Sequence, residues 1–145
     1  MSPVDIQIIT RKAKLIEVDL AILAKNQPKS YKQYLKSATS QLIIERLLER
    51  IVGKMIDINY HLLSERCGFV PNNYTQSFTE LGKRGIVSEK LANELAKSGG
   101  LRNALAHEYD EIDPKKIYES IEMALTQVPK YLKSVLKKIY TSCHG

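Results

Sequence analysis

The chain has 145 residues, 43% hydrophobic and 26% charged, the size and composition of one soluble globular domain spanning residues 1–145 around a single core. Its two cysteines, Cys67 and Cys143, stand far apart with no CxxC pairing, so neither a disulfide framework nor a zinc site is expected, and a reducing cytoplasm follows. The formal charge is +6 with a pI near 9.3, and the basic excess sits at the two ends of the chain; such a balance favours a polyanion such as RNA and equally suits a solvated surface.

The N-terminus, MSPVDIQIITRKAK, meets charge after Ile9 and lacks the long apolar run and small-residue cleavage site of a secretory signal. Nowhere do about eighteen apolar residues run together, so a chain neither exported nor membrane-spanning is expected. From Asp5 to Asn26, Ile8, Ile9, Leu15, Ile16, Leu20 and Leu23 recur at helical spacing, and the Asn-Gln-Pro turn at Pro28 stops this first helix. A second helix is predicted to run unbroken from a Ser30 cap to about Arg66, with Gly53 its only glycine. One apolar row on it follows Ile44, Leu48, Ile51, Met55, Ile58 and Leu62, and an adjacent row follows Leu35, Ala38, Leu42, Val52, Ile56 and Leu63. So wide a face suits a helix central to a bundle, or one that shares a side with a second subunit.

GFVPNNYT after Cys67 reads as a loop, followed by short helices over 76–83 and 88–97, the second ended by Ser98-Gly99-Gly100. A further short helix holds LRNALAHEY. Asp113-Pro114 then starts a last helix, Asp as cap and Pro in the first turn, which runs to about Tyr140 through Ile117, Ile121, Leu125, Val128, Leu132, Val135, Leu136 and Ile139 and bends at Pro129. No strand-like alternation, repeat or low-complexity tract interrupts this order, and the predicted fold is an all-α, up-and-down helical bundle.

The chemistry-bearing residues concentrate in the short helix. At about 100° per residue, Leu101 and Leu105 share one side and anchor the segment, while Arg102, Asn103, Ala106 and His107 occupy the opposite arc. Arg102 and His107 are separated by about 140° and flank a shallow surface floored by Ala106. These types suit metal-free RNA cleavage. That reaction needs a base for the ribose 2′-OH proton, a cation for the phosphate oxygens and an acid for the leaving oxygen. A single histidine fills one proton role, so two copies of the arc, paired in a homodimer, would supply both. Taken alone, such residues on an exposed helix face are as readily ordinary surface, and Tyr109 as readily a partly buried core tyrosine.

The run Arg102-Asn103-Ala104-Leu105-Ala106-His107-Glu108-Tyr109 resembles the signature of the HEPN superfamily, and of its HepT toxin branch in particular. Length, helix order, the long second helix, the loop-rich middle and the Asp-Pro start extend the resemblance over nearly the whole chain. It implies a dimeric helical bundle acting as a metal-independent endoribonuclease, the toxin of a type VII toxin–antitoxin pair, with no cofactor. Carried onto this sequence, Arg102 and His107 become the catalytic pair, Asn103 a supporting polar residue, and Tyr109 the tyrosine on which a partner MntA-type nucleotidyltransferase antitoxin places AMP. AMP at that position would set bulk and negative charge beside the site and compete with RNA phosphate for Arg102.

A rival from another class keeps the fold without the reaction: a non-catalytic helical subunit that binds nucleotide or substrate for a separate nucleotidyltransferase. Elsewhere, Asn59-Tyr60-His61 offers a histidine with no partner at useful spacing, and packing or surface is the expected role. Glu45 and Asn59 interrupt the second apolar row, either reaching toward the motif helix or facing solvent. Lys115, Lys116, Lys130, Lys133, Lys137 and Lys138 form either an RNA-steering face or a solvated one.

Overall fold

The computed structural model describes residues 1–106 and 113–140. Seven helices are built from them: α1 (Pro3–Lys25), α2 (Tyr31–Lys36), α3 (Ala38–Cys67), α4 (Tyr74–Lys83), α5 (Glu89–Ala96), α6 (Ser98–Ala106) and α7 (Pro114–Lys138). The all-α bundle predicted from periodicity is the fold, with no strand among the described residues. The axle is α3, which packs against α1, α2, α4, α6 and α7. Its first apolar row does what its spacing requires: Ile44, Leu48, Ile51, Met55, Ile58 and Leu62 are all 0% exposed.

Several predicted boundaries move, each for a local reason. A capping box starts α1 at Pro3 rather than Asp5: the Asp5 backbone N–H donates to Ser2 Oγ at 3.1 Å, and Ser2 N–H donates back to the Asp5 carboxylate at 3.1 Å. Ile8 and Leu15, expected in the core row, lie instead on an outer stripe with Val18 and Ile22.

The helix predicted to run unbroken from Ser30 is divided at Ser37, which is extended (φ −122°, ψ 104°) and caps α3 by accepting from Ser40 N–H at 3.1 Å. Gln41 Nε2 closes the end of α2, donating to the carbonyls of Tyr34 (3.1 Å) and Leu35 (3.3 Å). The break turns Tyr34 inward, where its ring meets Tyr31 and Tyr118 at centroid distances of 6.5 and 5.8 Å. The second apolar row is divided with it, Val52, Ile56 and Leu63 being buried while Leu35 and Leu42 are exposed.

Asn73, accepting from Gln76 N–H at 2.8 Å, starts α4 two residues ahead of prediction. Ser98-Gly99-Gly100, predicted as a terminator, forms the first turn of α6. Gly99 is needed there because a β-carbon would lie 2.8 Å from the Thr75 backbone nitrogen, so its absence lets α6 press onto α4. The Asp113 cap is present, its Oδ1 accepting from Lys115 N–H at 3.0 Å, and α7 continues through Pro129. Cys67 is disulfide-bonded, where the sequence suggested no disulfide framework, so cysteine usage does not support the reducing compartment read from it.

One polar knot lies inside the core. Asn59, 0% exposed, donates to Ser77 Oγ at 3.2 Å, and its Oδ1 shares the single Tyr131 hydroxyl proton with the Met55 carbonyl, at 2.5 and 3.1 Å, while Ser77 donates to the Tyr74 carbonyl at 2.6 Å. Asn59 therefore faces neither solvent nor the motif helix but fixes α3, α4 and α7 in mutual register.

Candidate active site

The motif helix α6 is held as its pattern predicts, with Leu105 buried and Leu101 packed against the core. Arg102 is half-buried and Asn103 exposed on the other side. His107 and Tyr109 lie outside the described residues, so the pairing of Arg102 with His107 and the place of Tyr109 do too.

The placement of Arg102 depends on α3. A β-carbon at Gly53 would stand 3.5 Å from Arg102 Nε and 4.0 Å from its Cδ, so the arginine stem lies directly over the one glycine of that helix. Glycine in a helix interior costs about 1 kcal/mol relative to alanine. Here it opens a trough for the guanidinium, and any side chain longer than a methyl would occupy that space. Arg102 has no ion-pair partner among the described residues, which leaves its fork of donors available for an anion.

Around it runs a groove of about 510 Å³, lined by the cations Arg46, Arg50, Lys54 and Arg102, the acids Glu49 and Asp57, and Tyr60 and Tyr74, with Gly53 and Ile56 in its floor. Beneath the groove sits Asp19 of α1, 1% exposed, with Arg50 Nε at 3.1 Å and Lys54 Nζ at 3.8 Å. Neither Asp19 oxygen makes a well-directed hydrogen bond, so ion pairing alone meets this buried charge. The groove ends at an aromatic corner, where Tyr60 and Tyr74 stand edge to face at 6.3 Å. Burial, and then the neighbouring Tyr74, pushes the Tyr60 phenol above its ordinary range.

None of Asp19, Gly53, Arg50, Lys54, Tyr60 and Tyr74 was singled out by sequence reasoning as part of the site. Two signals were present: an acid at the core-facing spacing of α1, between Ile16 and Leu23, and a lone glycine in a thirty-residue helix.

The other candidates resolve more simply. His61, expected to be surface or packing with no partner at useful spacing, finds one across the fold: its Nε2 lies 2.8 Å from Asp5 Oδ1 and ties α3 to the start of α1. Asp5 itself is held below the usual carboxylate range, by its bonds with Ser2 first and by His61 after. Glu45 is half-buried near Tyr34, and burial raises its carboxyl. Burial first, then Glu45, pushes the Tyr34 phenol up to about 12. Lys115, Lys116, Lys130, Lys133 and Lys137 are exposed. Among the described residues no group of three or more His, Cys, Asp or Glu is placed to hold a metal ion, and no helix is long and apolar enough to cross a membrane.

The family model for HepT-like ribonucleases matches residues 9–135. The chain belongs to the HepT-like ribonuclease family. As a HepT-like protein it is an enzyme of the RNA-cleaving class. A tRNA nuclease HepT of Aphanizomenon flos-aquae is 41% identical over 142 residues, covering 97% of this chain and 96% of its own. A putative RNase of Archaeoglobus fulgidus is 33% identical over 100 residues, covering 67% and 74%. Among solved structures, a tri-AMPylated Shewanella oneidensis HEPN toxin in complex with its MNT antitoxin superposes with a TM-score of 0.80 at 22% identity, over 95% of this chain and all of that one. A toxin–antitoxin complex with AMP-PNP gives a TM-score of 0.81 at 21% identity, over 91% and 99%. At those identities the likeness is one of HepT fold.

Proposed function

We propose that the chain is a metal-independent endoribonuclease toxin of a type VII toxin–antitoxin pair, acting in the cytoplasm as a homodimer. Arg102, Asn103 and His107 of both protomers form its cleft. The observation that carries this reading is Arg102, laid over Gly53 with no carboxylate partner among the described residues, at the head of the Arg102-to-His107 spacing.

The chemistry assigns each group a task. The ribose 2′-oxygen attacks the adjacent phosphorus and loses its proton to a base. The bond to the 5′-oxygen breaks, and that oxygen takes a proton from an acid, leaving a 2′,3′-cyclic phosphate and a 5′-hydroxyl. Arg102 meets the charge that builds on the non-bridging oxygens, an effect of about 10²–10³ in rate for a preorganised donor. His107 handles one proton, the partner's His107 the other, each worth about 10²–10⁴. Asn103, exposed beside Arg102, supplies a neutral hydrogen bond to the bound phosphate.

Silencing is assigned to Tyr109. A nucleotidyltransferase antitoxin of the MntA type joins AMP to its hydroxyl, and the new phosphodiester competes with RNA for Arg102. The tri-AMPylated HEPN toxin bound to its MNT antitoxin supports this route by analogy.

Expression in a bacterial host tests the reading. The unaltered chain should arrest growth, His107→Ala should relieve the arrest, and co-expressed nucleotidyltransferase should rescue the unaltered chain but not Tyr109→Phe. An unaltered chain that causes no arrest would contradict the toxin reading and favour a non-catalytic binding subunit.

A further inference from the structure

The α3 face beside Arg102 carries more cationic equipment than cleavage of a single phosphodiester uses. Arg46, Arg50, Lys54 and Tyr60 recur along one side of the helix, a track of about 21 Å at 1.5 Å per residue. Arg102 enters from α6 and Tyr74 from α4. The cations differ in how they are held. Arg46 pairs with Glu49, its neighbour one turn along, at 3.3 Å, and is mostly exposed. Arg50 and Lys54 are fastened from below by Asp19, a carboxylate the fold has buried.

Arg50 engages Asp19 through Nε, leaving its two terminal amino groups without a hydrogen-bond partner among the described residues. A buried carboxylate gripping the inner edge of a guanidinium fixes the side chain while its outer donors stay available. That arrangement suits a phosphate, which takes two parallel N–H bonds from an arginine fork. Lys54 adds a point charge from one turn further along. The Tyr60–Tyr74 corner lines the same groove and presents aromatic surface to it, and a stacked base asks only for such a face.

We propose that this face of α3 is a second nucleic-acid contact of the enzyme. Arg50 and Lys54, positioned by Asp19, hold a backbone phosphate flanking the scissile one, and the Tyr60–Tyr74 corner stacks an unpaired base. The proposal rests on the ribonuclease reading for its substrate class, single-stranded RNA, and adds to it a footprint longer than one phosphodiester. Asp19 is a positioning residue; it touches no substrate.

Binding of a fluorescent 2′-O-methyl RNA oligonucleotide, which lacks the nucleophile and cannot be cut, separates this claim from catalysis. The unaltered protein should bind with salt-dependent affinity. Arg50→Gln/Lys54→Gln should weaken binding at low salt and reduce the slope of log affinity against log salt by about 0.7, the share of the one phosphate the two cations hold on a single strand. Tyr60→Ala should weaken binding by roughly 5- to 150-fold with the salt slope unchanged. Because the double variant strands the buried Asp19 charge, Asp19→Asn/Arg50→Gln/Lys54→Gln repeats the measurement with that charge removed. Affinity and slope equal to those of the unaltered protein in the triple variant would overturn the proposal. Failure of the unaltered chain to cut ordinary RNA while it still binds the blocked oligonucleotide in this manner would sink the nuclease reading and leave the binding face standing.

Discussion

Two polar clusters are set into α3, and they end differently. Around Asn59 the polar groups find partners inside the protein: Tyr131 and Ser77 meet the amide, the one Tyr131 proton being shared between Asn59 Oδ1 and the Met55 carbonyl, while Ser77 donates to the Tyr74 carbonyl. The core closes over the cluster, Asn59 being 0% exposed. Around Asp19 the carboxylate is buried, but the cations it holds reach the surface, Arg50 with 44% of its side chain exposed and with terminal donors unmatched among the described residues. A closed cluster specifies a fold, whereas an open one prepares a surface. Burial alone does not distinguish them, since Asn59 and Asp19 are equally inaccessible; the count of unmatched donors does.

Variants on the two sides should therefore fail in different assays. Arg102→Ala removes the guanidinium proposed to meet the anion, one with no ion-pair partner among the described residues. RNA cleavage should fall by about 10²–10³-fold, while the thermal midpoint stays within about 1 °C of the parent, which calorimetry checks directly. Asn59→Ala should do the reverse. It leaves a hole and an underused Tyr131 hydroxyl in a dry core, and a loss of about 3 kcal/mol in urea unfolding is expected with turnover per folded molecule intact. An Asn59→Ala protein that keeps its stability, or an Arg102→Ala protein that loses it, would break the division between the clusters.

Gly53 sharpens the comparison because it sits where helix stability and site geometry conflict. Gly53→Leu should gain up to about 0.8 kcal/mol of helix propensity yet push Arg102 off its trough. Cleavage is expected to drop between roughly 10- and 100-fold, read as a fall in kcat together with a raised unfolding midpoint. The smallest effect belongs to Glu45. Burial raises its carboxyl above the usual range, so its ionised form is disfavoured in the fold. That cost is present above the folded-state value and vanishes as pH falls below the unfolded one. Glu45→Gln should accordingly be slightly more stable than the parent at neutral pH, with the two unfolding curves converging in acid.

The sequence carried the architecture well where a pattern had one physical solution. The row from Ile44 to Leu62 could only be a buried helix face, and Asp113-Pro114 only a helix start. It carried less where local polar bonds competed with propensity. Ser37 is an unremarkable residue in a helical run until Gln41 reaches back to the Tyr34 and Leu35 carbonyls, and Ser98-Gly99-Gly100 reads as a stop until Thr75 is found against Gly99. Of the candidate site, Arg102 and Asn103 stand out by spacing and resemblance, and the groove on α3 beside Arg102 does not. Asp19, Arg50 and Gly53 come from two helices distant in sequence from the motif, and only the packing of α1 and α6 onto α3 brings them beside Arg102.

The central claim is metal-free RNA cleavage centred on the arc from Arg102 to His107, and its most direct test is cleavage by purified protein in EDTA, unaltered chain against His107→Ala, with the new RNA ends identified. The account predicts that the unaltered chain keeps cutting under chelation and leaves 2′,3′-cyclic phosphate ends, and that the variant loses the activity. Equal cleavage by the two proteins, or cleavage that stops in EDTA and returns with added metal, would contradict it.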